Sequence, residues 1–264
     1  MIPVAAVQRS VVTRSLRRAM SAYAGSTPFG SVDQMPGMTL ISSGIDYPVF
    51  NATVISASAG AADFGDKVAM AARHYQRKQI GWSCWYCDEL TGASRAEIAR
   101  VLKRASLRRV AEHQAMVAER VLPPRNPLPD LEARPVVDER TRVDFISVCT
   151  RVFGLPVPVG RQVYGSERFW LGAYRGWVGY RHGDPICIAA TESDADGVGL
   201  YSVGTLESFR GRGYGEQITR VAIRHAAGSA GCERTMLQAT RAGLRLYARM
   251  GFEVTGRISV YASR

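Results

Sequence analysis

Three glycines in five residues, flanked by arginines, mark the part of this chain best equipped to do chemistry. Residues 203–217 read VGTLESFRGRGYGEQ. A β-prone run leads into Arg210-Gly211-Arg212-Gly213-Tyr214-Gly215, and helix-forming residues follow at once. Glycine lets a backbone turn tightly and approach a ligand closely. The first amides of a helix have no internal partners, and the helix dipole favours an anion there. The two arginines can add charge-assisted contacts of about 1.5–3 kcal/mol each. Together these features make a cradle for a pyrophosphate. It is not the dinucleotide fingerprint, which needs G-x-G-x-x-G at the head of an early βαβ unit. Nor is it a P-loop, because no Gly-Lys-Ser/Thr is present in it.

The cradle needs a strand before it and a helix after it, and the surrounding pattern supplies both. Residues 177–181, 186–191 and 198–205 read as an antiparallel meander, with the turns HGDP and DADG between them. A helix over 213–227, a strand over 234–239, a helix over 242–250 and a strand pair over 252–262 follow. Before the meander lie a strand near 133–137, a helix over 139–153 with Val143, Ile146 and Cys149–Thr150 inward, and a short helix within 161–171. The first half reads as a helix over 9–23, a loop over 25–37, strands at 38–42 and 49–56, and a helix over 64–79. A buried aromatic strand at 81–87, a helix opened by the Ser94/Glu97 capping box and a strand over 107–121 complete it. Between the halves, LPPRNPLPDLEAR carries four prolines and supports neither a helix interior nor a central strand. The expected division is a domain over 1–125, a linker over 126–132 and a domain over 133–264. The fold class is α+β, in mixed α/β layers.

The pattern Arg-x-x-Gly-x-Gly between strand and helix, met at Arg210, Gly213 and Gly215, resembles the acetyl-CoA signature of the GNAT superfamily of N-acetyltransferases. Downstream, MLQATRAGLRLYARMGF over 236–252 is similar to that superfamily's later strand and helix, with its L-Y-x-x-x-G-F ending. Upstream, YSVGT resembles the strand whose backbone holds the pantetheine arm. One departure is Glu207-Ser208, where many members carry Pro-Glu before the aromatic residue. The resemblance covers residues 133–264. It implies a central, mostly antiparallel sheet flanked by helices. The first half echoes the same element order without the glycine loop, so the whole resembles a tandem GNAT protein with a degenerate first half.

That resemblance implies a function and a set of roles. Acetyl-CoA would be the co-substrate, and an amine would attack its thioester directly in a ternary complex. Val203, Gly204, Thr205, Arg210, Gly211, Arg212, Gly213, Tyr214 and Gly215 would hold the coenzyme, with Thr240 as a further contact. An N–H at Val203 or Gly204 would stabilise the oxyanion. A lysine-like amine of pKa about 10.4 is neutral roughly once in 2,500 molecules at pH 7, a deficit of about 4–5 kcal/mol. Candidate bases to cover it are Glu192, at the end of a strand, Asp194 and Glu207, each also readable as a solvated turn or surface carboxylate. Tyr247 would be the general acid to the leaving thiolate, or else a core tyrosine. The competing reading is an acyl-CoA-binding sensor that keeps the cradle and lacks a competent base.

Composition narrows the rest. The net charge of +11 is spread evenly along the chain, which suits an anionic coenzyme better than the clustered patch nucleic acid needs. Five scattered cysteines do not form a secreted disulfide framework, and a cytoplasmic setting is expected. No apolar run is long enough for a membrane helix. The first 25 residues carry four arginines and no acid, yet read as an ordinary helix rather than a transit peptide. Cys84 and Cys87 have the spacing of a metal pair but no second pair, and the four histidines are isolated, so no metal is assigned. The acceptor amine and the oligomeric state, including a homodimer, stay open.

Overall fold

A computed structural model describes residues 4–263. In chain order its first elements are α1 (Val4–Ser21), β1 (Ser31–Met35), β2 (Met38–Ser42), β3 (Ala52–Ile55), α2 (Ala61–Lys78), β4 (Ser83–Cys87), α3 (Arg95–Arg104) and β5 (Arg108–Ala118). Then come β6 (Glu132–Pro135), α4 (Glu139–Phe153), α5 (Val157–Tyr164), α6 (Glu167–Trp170), β7 (Tyr174–Arg181), β8 (Asp184–Asp194) and β9 (Gly197–Thr205). The last are α7 (Tyr214–Ala230), β10 (Thr235–Ala239), α8 (Leu244–Arg249) and β11 (Glu253–Ala262). No helix among the described residues is long and apolar enough to cross a membrane.

Two compact units are present, and their sequence ranges interleave. The first takes residues up to Met116, Gln238–Ala242 and Val254 onward; the second takes Val117–Leu237 and Gly243–Glu253. The Pro-rich stretch at 126–132 therefore lies inside the second unit.

In the first unit the strand order is β1-β2-β3-β4-β11-β5. β3 and β4 are parallel along the full length of β3, from Ala52↔Ser83 to Ile55↔Tyr86. β11 runs antiparallel to β4, with Ile258 opposite Cys87. A single strand thus stands where the sequence suggested a pair over 252–262. Another difference is β1, which falls in the stretch expected to be loop. Its residues SVDQM are mostly exposed, so no apolar alternation announces it. The signal lay in Pro36-Gly37, which joins Met35 to Met38 with Gly37 at φ +71°, the placement a tight turn asks of proline then glycine.

Strand alternation explains the unit's core. Cys84 and Tyr86 project to one face and join Phe64, Val68 and Tyr75 of α2 and Ile98 and Leu102 of α3. Tyr75 stacks on Trp82 at 5.1 Å and donates its hydroxyl to the Ile41 carbonyl at 3.1 Å, so its one polar atom is satisfied. Helix α3 begins at the expected capping box. The Glu97 amide donates to Ser94 Oγ at 3.3 Å, and the Ser94 amide donates to Glu97 Oε2 at 2.9 Å. Ser94→Ala should therefore lower stability by about 1 kcal/mol. Urea unfolding checks this, and an unchanged midpoint would show that the cap contributes nothing here.

In the second unit the order is β10-β9-β8-β7-β6, with β9 and β10 parallel and the other neighbours antiparallel. Helix α4 matches its expected span and is opened by Asp138, whose carboxylate accepts from the Thr141 amide at 2.7 Å. Ile146, Cys149 and Thr150 are buried as expected, but Val143 is 57% exposed. It lies on the flank turned from the sheet, a distinction helical spacing alone does not make. The 161–171 region holds two helices, α5 and α6, rather than one.

Candidate acyl-transfer site

Strand β9 is where the second unit's sheet comes apart. Its parallel register with β10 runs only from Val198↔Thr235 to Leu200↔Leu237. From Tyr201 to Thr205 the strand has no partner in that register. On its other side the register with β8 jumps from Ala190↔Tyr201 to Ile188↔Gly204, so Ser202 and Val203 stand against Ala189 alone. This is a bulge, and Ser202 is held at φ +49°, an unusual backbone region for a side-chain residue. The Tyr174 and Ser202 hydroxyls share a 2.8 Å hydrogen bond that ties the bulge to β7. The result is a strand whose backbone groups near Val203 are turned out of the regular ladder.

The chain then makes a short turn over Glu207–Phe209 and reaches the glycine loop. Arg210 Nε donates to the Thr205 carbonyl at 3.0 Å, folding the loop back onto the end of β9. Gly211 and Gly213 take φ +73° and +86°, conformations that side-chain residues rarely adopt. Gly213 caps α7 with its backbone only, and no side chain caps the helix. The first intrahelical bond is Gln217 N–H to the Gly213 carbonyl at 2.9 Å, so the amides of Tyr214, Gly215 and Glu216 are left without helical acceptors. The one carboxylate of the first turn, Glu216, is drawn away from them by Arg220, which binds it at 2.7 and 3.0 Å. Tyr214 is buried, with Phe209 edge-on to its ring and the Arg181 guanidinium 6.0 Å from its centroid. The Pro-rich segment is packed here as well. A side chain at Gly213 would begin 2.9 Å from Pro129. At Gly215 it would begin 3.2 Å from Thr205 Oγ1.

The remaining candidates are sorted by their surroundings. Val203 and Thr205 are half-buried on β9, and Gly204 is buried against Val152 of α4. Arg210, Gly211 and Arg212 are exposed. Thr240 is exposed just after β10, in a segment that belongs to the first unit. Among the carboxylates, Glu207 is exposed, and Asp194 accepts from the Asp196 amide in its turn. Glu192 is only 3% exposed, within β8 opposite Tyr174 and Gly199. It is therefore not a solvated turn carboxylate. Tyr247 is buried on α8 with its ring edge-on to Phe252 at 5.7 Å, and burial pushes its phenol above the ordinary range.

An aromatic cluster on the face shared with Glu192 was not singled out from sequence. Tyr164, Phe169, Trp170 and Tyr174 contact one another, and Tyr201 lies beside Tyr174. Trp170 Nε1 donates to the Tyr164 carbonyl at 2.8 Å, which fixes the turn between α5 and α6. The available signal was the run of aromatics over 164–177, whose meeting point depends on two short helices. Cys84 and Cys87, by contrast, do not meet. Cys84 is in the core of the first unit, while Cys87 donates to Glu89 at 3.1 Å, and burial pushes its thiol up to about 12.

Residues 172–254 match the family described as Acetyltransferase (GNAT) domain. The whole chain is similar in fold to a GCN5-related N-acetyltransferase from Kribbella flavida, with a TM-score of 0.70, 16% identity, and 100% of this chain and 96% of that one covered. A GCN5-related N-acetyltransferase from Sphaerobacter thermophilus follows at 0.54 and 17%, covering 99% and 93%. A tandem GNAT protein from the clavulanic acid biosynthesis pathway is similar at 0.51 and 9%, covering 96% and 94%. No curated protein matches. The opened β9 edge and the bare α7 terminus thus lie within the segment that matches the GNAT acetyltransferase family.

Proposed function

We propose that the chain is an acetyl-CoA-dependent N-acetyltransferase that acts on a primary amine by direct attack in a ternary complex. The observation that carries this reading is the continuity of two features: a β9 edge unpaired beyond Leu200, and the uncapped N-terminus of α7 that follows it. A thioester arm needs backbone partners along an extended path, and its pyrophosphate needs convergent amides at the end of that path. Val203, Gly204 and Thr205 offer the first, with an N–H at Val203 or Gly204 for the oxyanion. Residues 210–215 offer the second.

The proton chemistry is assigned to groups of the same unit. Glu192, enclosed with aromatic neighbours, takes the proton that the attacking amine must lose. Tyr247, kept protonated by burial, donates to the leaving sulfur. In sequence terms the catalytic repeat is taken as 133–264 after the stretch at 126–132, although 126–132 belongs to the second compact unit and the last strand, β11, to the first. The first unit is read as a GNAT-like half without a coenzyme site. At its corresponding helix start, Asp63 of α2 accepts from the Ala59 amide at 2.8 Å and pairs with Lys67, so an acid already occupies the position an anion would need. Its β3 also stays zipped to β4 to the end, which leaves no edge open.

The test is release of free coenzyme A thiol from acetyl-CoA in the presence of a panel of primary amines. Amine-dependent release is expected. Binding of acetyl-CoA without release by any amine would instead favour the sensor. Within an active enzyme, Glu192→Gln should lower kcat/KM about 100-fold at pH 7. The gap should narrow toward pH 9, because the neutral fraction of the amine rises about tenfold per pH unit. A loss that is the same at every pH would remove Glu192 from the proton path.

A further inference from the structure

A cavity of about 480 Å³ opens on the flank of α7 away from the glycine loop. Its walls combine apolar Val121, Ile223 and Ala227 with the guanidinium groups of Arg120, Arg220 and Arg224. The three cations are not equivalent. Arg120 is neutralised by Glu233 at 2.8 Å. The Arg220 side chain, 11% exposed, is fixed between Glu216 at 2.7 Å and the Leu122 carbonyl at 2.6 Å. Arg224 has no hydrogen-bond or ion-pair partner among the described residues. A cavity of this size with apolar walls, one immobilised guanidinium and one uncompensated guanidinium has the composition of a small-ligand site rather than of a solvated helix face. From Gly215 to Arg224 the helix rises about 14 Å at 1.5 Å per residue, which separates the cavity from the bare amides.

We infer that this cavity binds a small organic anion, with one oxyanion head paired to Arg224 and a short apolar body against Val121, Ile223 and Ala227. The site does not depend on the acetyl-transfer reading, and its occupancy can be read without any enzymatic activity. Cys232 lines the same cavity and is the one cysteine of the five that is not buried. Its labelling by a thiol reagent, located by peptide mass spectrometry, therefore reports whether the cavity is filled.

The probe is hexanoate, with neutral hexanamide as the control of equal shape. At about ten times its dissociation constant, hexanoate should slow Cys232 labelling roughly tenfold. Hexanamide should give little protection. Arg224→Ala, an exposed position, should raise the half-protecting hexanoate concentration at least about tenfold, the loss of one charge-assisted contact, with protection read against the variant's own labelling rate without ligand. Equal protection by hexanamide, no protection by hexanoate, or indifference to Arg224→Ala would each overturn the proposal. A separate arm compares acetyl-CoA with its 3′-dephospho form. If Arg224→Ala weakens binding of the first and not the second, the cavity serves the coenzyme's nucleotide end and the independent site is refuted.

Discussion

Gly215→Glu is expected to abolish acetyl-CoA binding while leaving thermal stability equal or slightly higher. Gly215 is the second residue of α7 and has ordinary helical backbone, so a side chain is not excluded by conformation. Glycine is a poor helix former, and replacing it recovers up to about 1 kcal/mol. A carboxylate in the first turn adds about 0.3–1 kcal/mol through the helix dipole. Against these stands a tight contact with Thr205 Oγ1 at 3.2 Å, which a small shift relieves. The same carboxylate fills the place proposed for the pyrophosphate and repels it. Losing two charge-assisted contacts of about 1.5–3 kcal/mol each weakens binding by about 10²–10⁴-fold.

The measurement is a thermal shift with and without millimolar acetyl-CoA. A ligand at about 100 times its dissociation constant adds roughly 2.7 kcal/mol, which moves a transition by several degrees. That shift should occur in the unaltered protein and vanish in Gly215→Glu. If the variant still shifts, the α7 terminus is not the phosphate site. Gly213→Glu also blocks the loop, but it is the weaker test. Its φ of +86° and the 2.9 Å approach to Pro129 mean that a failure to bind would be confounded with misfolding.

How much of this was legible in the sequence depends on how local each determinant is. The capping box at Ser94/Glu97, the meander turns and the glycine loop are set within a few residues, and the structure has them where the residues indicate. β1 was missed because an exposed edge strand has no apolar alternation to betray it. The place of β11 in the first unit, beside β4, was not legible for a deeper reason. Residues 258–262, ISVYA, declare a buried strand but carry nothing that says β4 is its neighbour; that choice is made by whole-sheet topology. The same holds for Glu192. Its position at a strand end was readable, but its burial depends on Tyr174 and Gly199 arriving opposite it on β7 and β9. The splay of β9 from β10 is likewise a property of two strands paired between positions as distant as Val198 and Thr235, and its one hint in the sequence was the resemblance of YSVGT to a strand that holds a pantetheine arm.

Tyr247→Phe should lower turnover about 100-fold or more, the range typical of a lost general acid, with acetyl-CoA affinity essentially unchanged. The substitution keeps the ring, so its edge-on contact with Phe252 at 5.7 Å and the burial of α8 are preserved. What it removes is one proton donor. Burial raises the phenol's pKa, which favours the neutral form and so keeps the donor loaded across the pH range in which the amine is made reactive. The proposed coenzyme contacts lie on β9 and in the 210–215 loop, so binding measured by thermal shift should report no loss. A packing role and a proton-donating role then separate cleanly. If Tyr247 only fills the core, turnover stays within about twofold and any loss follows stability. If it donates to the leaving sulfur, the defect should depend on that thiol's basicity. An acyl donor with a more acidic thiol leaves more readily without help, so Tyr247→Phe should cost it less than it costs acetyl-CoA. An equal defect with both donors would place Tyr247 outside the proton path while leaving the coenzyme site intact.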